Sequence, residues 1–355
     1  MTSQPTGPGP AAPPTAPTSP GVAPSAFDAL LAPPAAAPSS VPSTTEPPLA
    51  TPAHGADSFA GTGQAVESRT PPGWDEFVAG WPLYRDPVLC AVIAGAALAG
   101  LGVFVVLRRA VFVTATLSQA AGLGVALAFY FQIHHGLELS PVLGALLMSA
   151  AATLLVGARP PGKMSRETLV GSAFVATSAL AVLVGDRIAQ EAHDISAVLF
   201  GSAVLVRPLD LWLVIGGALL SLATLYLVGR ALTFTGFDPE GARVQGLPVR
   251  SIEAGFWLVF AVQVSVSTRA LGSLPVFALA VLPAAAGLGV AQRLGVALAV
   301  AACGGAFSGG AGYLLAFLGE LPVGACEATC AALFAAAALA LSHLRRGSRR
   351  AVPNR

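Results

Sequence analysis

The residues that could do chemistry in this sequence are few, and they sit at the edges of long apolar runs. Cys326 and Cys330 stand four apart with Glu327 between them, in PVGACEATCAALF. At that spacing on a helix the two thiols share a face, and thiolates with further ligands suit a soft metal. Buried small hydrophobes are the commoner role for such cysteines, so Glu327, Cys326 and Cys330 are only weak candidate metal ligands. Glu327 falls about one turn into its apolar run, where a helix N-terminus favours an anion, and an interfacial carboxylate is the plainer reading. Glu191, His193 and Asp194 gather in one short polar stretch, and His134 and His135 in another. For both, a solvated loop is preferred over a metal site. Cys90 and Cys303 lie in apolar runs, and no CxxC pair occurs, so neither a zinc ribbon nor a disulfide framework is indicated.

One polar stretch reads differently. Residues 236–253, GFDPEGARVQGLPVRSIE, form the longest polar interruption between the late apolar runs. Asp238 followed by Pro239 is a helix start, with the aspartate capping and the proline at the first helical position. Gly246 then ends a helix of about two turns. A short helix between two membrane spans is what a permease needs to receive force from a separate ATPase. No Walker A sequence, HExxH or GxSxG occurs. No catalytic residue is assigned, no cofactor is expected on the chain itself, and any ATP chemistry must come from a partner.

The elements that position these residues are membrane helices. The chain has 355 residues, 54% hydrophobic and 10% charged, against roughly a quarter charged in soluble domains. Apolar runs place helical spans near 88–107, 111–132, 141–158, 168–185, 209–230, 254–269, 272–291, 294–317 and 323–343, since a span of about 20 apolar residues crosses the hydrocarbon core as a helix. They are too long and too apolar on every face for barrel strands. The fold class is therefore an all-α polytopic membrane protein with about eight to nine transmembrane helices. The piece 195–206, ISAVLFGSAVLV, is too short to span, and is read as re-entrant or as an extension broken near Pro208. Under strict alternation Arg108/Arg109, Arg159/Lys163/Arg166, Arg230/Arg243/Arg250, Arg293 and the arginines from 345 to 350 fall on one side. His134/His135/Glu138, residues 186–194 and Glu320 fall on the other. The positive-inside rule makes the arginine-rich side cytoplasmic. Small residues crowd AGAALAGLG (94–102), AAGLGVALA (120–128) and AACGGAFSGGAG (301–312), which predicts close helix packing.

Outside the spans, residues 1–72 hold most of the 29 prolines and read as a disordered Pro/Ala-rich tail. It has no basic start with an apolar core, so it is not read as a secretory signal. Phe27–Leu31 is at most a weak docking motif. Residues 73–87 read as an amphipathic interfacial lead-in, 88–345 as the transmembrane domain and 346–355 as a basic cytoplasmic tail. The net charge of +1 leaves no footprint for nucleic acid.

Several blocks of this chain resemble, in order, the metal-uptake ABC permeases of the zinc/manganese type, the ABC-3 family. They are GLGVFVVLRRAVFVTATLSQAAGLGVAL (100–127), RETLVGSAFVATSALAVLV (166–184), LFGSAVLV (199–206), FDPEGARVQGLPV (237–249), LGSLPVFALAVLPAAAGL (271–288) and GYLLAFLGELPVGAC (312–326). The resemblance implies a homodimeric permease of an importer in the bacterial cytoplasmic membrane. It implies an ABC ATPase partner docking at Phe237, Asp238, Glu240, Ala242 and Gly246, and an extracytoplasmic solute-binding protein. It places the translocation path along Ala115, Ser118, Gln119 and Pro283. The sequence departs from the family there: Ala115 stands where relatives carry Asp and Gln119 where they carry His. Ala ligates nothing, and an amide oxygen is a poor zinc ligand. The expected function is import of zinc or manganese. The alternatives are import of a metal chelate or another small solute on the same fold, or a transport-inactive membrane scaffold or sensor.

Overall fold

The computed structural model describes residues 73–157, 164–189 and 206–350. The proline-rich tail, Lys163, the Glu191/His193/Asp194 cluster and the segment 195–205 lie outside the described residues. Among the described residues the structure is helical: α1 (Trp74–Ala79), α2 (Trp81–Leu107), α3 (Val111–His135), α4 (Pro141–Gly157), α5 (Arg166–Ala189), α6 (Pro208–Phe237), α7 (Pro239–Val244), α8 (Val249–Leu271), α9 (Ser273–Val290), α10 (Leu294–Gly319) and α11 (Val323–Arg350). Eight of these are long and apolar enough to cross a membrane, and α4 is apolar but shorter, with 17 residues. At a rise of about 1.5 Å per residue, α4 falls at the lower limit for a span.

The predicted spans are present, with altered ends. α2 begins at Trp81 rather than near residue 88, so it takes in part of the aromatic lead-in. Phe77 of α1 is buried there, with ring centroids 5.8 Å from Tyr84 of α2 and 5.1 Å from Phe317 of α10. α11 continues to Arg350, so its helix runs on through basic residues beyond the apolar stretch.

Packing follows the small-residue runs. α2 lies most extensively against α10, and also against α6 and α9. A Cβ on Gly95 or on Gly305 would strike the other's carbonyl, and one on Gly309 would strike that of Ala91. Gly124 of α3 and Gly144 of α4 meet in the same way. With lipid outside, helices gain little hydrophobic attraction for one another, and this backbone proximity supplies dispersion contact instead. α2 and α3 are mostly buried, whereas α5 and α6 lie at the periphery with large exposed apolar faces.

Candidate functional site

The short helix read from Asp238-Pro239 is present as α7. The Asp238 side chain accepts a hydrogen bond from the Gly241 N–H at 2.8 Å, and Pro239 holds the first position. Gly246 follows with φ +79°, the left-handed geometry that suits a glycine after a helix. Ala242 is wholly buried and anchors α7 to the bundle, where it packs on α6 and α8. Around that anchor Phe237, Asp238, Glu240 and Val244 are exposed. Phe237 is 71% and Val244 88% exposed. Two apolar side chains set among arginines, beside an anchored short helix, make a surface suited to a protein partner.

The residues assigned to the path stand on two helices that pack together. Ala115 and Ser118 are buried on α3, and Gln119 is half-buried one turn from Ala115. Ser118 donates to the Ala115 carbonyl at 3.0 Å, so its hydroxyl proton is used locally. Pro283 is buried within α9. α3 and α9 are in contact, and a Cβ on Gly122 would lie 3.3 Å from that of Ser273. Among the described residues no group of three His, Cys, Asp or Glu side chains gathers where it could hold a metal ion.

Glu327 is wholly buried within the helix bundle. Neither carboxylate oxygen has a hydrogen-bond partner. It lies in a narrow crevice with Pro87, Val206, Leu271 and Tyr313. Gly312 of α10 permits this burial, because a Cβ there would strike the Glu327 backbone. Cys326 is buried and Cys330 half-buried beside it, both as free thiols. His134 and His135 are exposed at the end of α3.

The profile of the ABC 3 transport family matches residues 82–342, almost all of the described helical region. The chain belongs to the ABC 3 transport family. It is a multi-pass protein of the bacterial inner membrane. The permease is 26% identical over 242 residues to the manganese transport system membrane protein MntC of Halalkalibacterium halodurans, covering 68% of this chain and 81% of that one. It is 27% identical over 198 residues to the high-affinity zinc uptake system membrane protein ZnuB of Haemophilus influenzae, covering 56% and 74%. Its fold matches a chain of PsaBC from Streptococcus pneumoniae in complex with Fab, with a TM-score of 0.66 at 22% identity over 74% of this chain and 94% of that one.

The permease also holds polar contacts that no motif announces. Asp210, at the third position of α6, accepts from the Arg207 N–H at 3.1 Å and pairs with Arg269 of α8 at 3.7 Å. Arg269 also lies 5.9 Å over the Phe129 ring. Gln263, wholly buried on α8, donates to Ser267 at 3.1 Å and accepts from Ser221 of α6 at 3.4 Å. Ser265 meets Ser149 of α4 at 2.6 Å. The run VQVSVST in an apolar helix was the available signal, since polar side chains in spans hydrogen-bond across helices. At the other end Arg108 sits 4.8 Å over Phe256 and donates to the Leu232 carbonyl at 3.3 Å. Burial pushes its pKa below the ordinary arginine value and Glu253 pulls it back up. Arginine stays cationic in either case.

Proposed function

We propose that this permease forms the membrane path of a binding-protein-dependent ABC importer for a divalent metal, manganese or zinc. It works as a homodimer with separate ATPase subunits docked at α7 and a solute-binding protein at the opposite face. The observation that carries this reading is the family match from residue 82 to residue 342, with relatives named for manganese and zinc transport. The anchored α7, with Phe237 and Val244 exposed at the arginine-rich end, supports the place of the ATPase contact. ATP is bound and hydrolysed by the partner, because this chain holds no Walker A sequence.

A second reading has its own support. Ala115 and Gln119 offer no imidazole or carboxylate to a bare metal ion. A metal already wrapped in a chelator needs neither, so the same path suits a metal chelate. Reconstituting the permease with its ATPase and binding protein in vesicles separates the readings. Uptake of manganese or zinc, with metal-stimulated ATP hydrolysis, is the expected result. Stimulation by a metal chelate alone moves the cargo to the second reading. Absence of stimulation by either overturns import and leaves a membrane scaffold.

A further inference from the structure

The arginine-rich end holds a pocket that the proposed transport route does not use. Its volume is about 490 Å³, within the usual range for small-ligand sites. Its walls come from the α2–α3 turn (Arg108, Arg109), the start of α5 (Arg166, Glu167) and α8 (Glu253, Trp257). Helices distant in sequence thus bring three guanidinium groups to one concavity, against two carboxylates. Among the described residues no carboxylate lies within ion-pair distance of any of these arginines.

Two details mark the α2–α3 turn that carries two of these arginines. The Nη2 of Arg108 donates to Leu232 and Thr235, at 3.3 and 3.4 Å, but its Nε and Nη1 are shut off from solvent with no acceptor. These two nitrogens face the Phe256 ring side rather than the open pocket, so Arg108 contributes its charge there and leaves direct contact with an anion to Arg109 and Arg166. Arg109 adopts φ +55°, a left-handed backbone that disfavours any residue with a Cβ. Glycine would make that turn without strain. An arginine held in such a conformation at the rim of a cationic pocket points to a use for its side chain. The first turns of α3 and α5 border the pocket as well, and their dipoles add positive potential to that of the side chains.

We propose that this pocket binds a phosphate-bearing anion. Two sources share that chemistry: the headgroup of an anionic phospholipid in the cytoplasmic leaflet, and a soluble phosphoanion. Phe112, 69% exposed on the first turn of α3, lines the same pocket and gives an acyl chain an apolar neighbour. Basic pockets between membrane helices on the cytoplasmic side are suited to such headgroups. The inference does not depend on the cargo.

The test uses the purified full-length chain in detergent, with thermal unfolding followed against short-chain phosphatidylglycerol, inorganic phosphate and phosphatidylcholine of the same chain length. Phosphatidylglycerol raises the Tm and phosphatidylcholine does not. Arg109→Gly and Arg166→Gln each weaken the apparent affinity by about tenfold, the loss of one charge-assisted contact. Arg109→Gly keeps or raises the Tm without ligand, because it relieves the turn, so lost binding there is not lost folding. A response to inorganic phosphate as well identifies a site open to soluble anions, and a response to phosphatidylglycerol alone identifies a lipid site. Either supports the pocket. Equal affinity in wild type and both variants, or no anion-dependent shift in the wild type, overturns it. So does unchanged anion affinity in Arg166→Gln together with lost co-purification of the ATPase, which makes the pocket a protein contact.

Discussion

Two buried carboxylates lie near the same end of this bundle and are treated in opposite ways. Asp210 is 5% exposed and receives a backbone N–H from Arg207 and the guanidinium of Arg269. Glu327 is 0% exposed and receives nothing. Val206 lines the Glu327 crevice on one side, and Ala270, next to Arg269, lines it on another, so the two sites are neighbours. Position along the helix separates them. Asp210 stands third in α6, within reach of the free N–H groups at the helix start. Glu327 stands fifth in α11, past those groups. Two acids in one medium therefore differ by a cap and a partner, and only Asp210 is accounted for by packing and charge. An unpaired carboxylate in a membrane helix is expensive to keep, which makes Glu327 the acid of the two to test for a role in transport.

The largest effect is expected from breaking the satisfied site. Asp210→Ala leaves the mostly buried Arg269 side chain without its carboxylate and should destabilise the folded chain by about 3–5 kcal/mol. Denaturant unfolding of the purified protein measures this, and a change below about 1 kcal/mol would show that the pair contributes as little as an exposed one. Glu327→Met is expected to act in the other direction. It removes an unsatisfied group while filling the same space, and should stabilise by about 1–3 kcal/mol. If stability rises while uptake in vesicles falls, Glu327 serves transport. A fall in stability would mean that the carboxylate has a partner in the membrane after all, and the contrast with Asp210 would disappear.

The smallest thermodynamic effect belongs to a third acid, the exposed Asp238. Asp238→Ala removes the cap on Gly241 and should cost about 1 kcal/mol, as exposed helix caps do. Its functional effect should be larger than its thermodynamic one, with ATP hydrolysis in the reconstituted complex no longer tied to uptake. Full transport by that variant would detach α7 from the ATPase contact.

Much of this arrangement could be read directly from the chain. The apolar runs predict the spans because transfer of about 20 residues into hydrocarbon is a local sum over side chains. The arginines at 108, 109, 166 and 250 are placed at one end by alternation, and the structure brings 108, 109 and 166 to a single pocket. The glycine-rich runs at 94–102, 120–128 and 301–312 become helix contacts. Asp238 caps α7 as its spacing with Pro239 predicts. These are properties of neighbours in sequence. The Asp210–Arg269 pair, the Gln263–Ser221 contact and the cation over Phe256 are not, and their members lie on different helices.

Hydropathy, small-residue content and helix caps depend on each residue and its near neighbours, so the sequence alone determined where the apolar helices lie, which end is basic and where α7 starts. Which polar group finds a partner depends on the rotation and depth at which two helices meet, and packing at glycines sets both. Only the tertiary structure therefore decided that Asp210 is paired, that Glu327 is not, and that three separate arginines face one pocket.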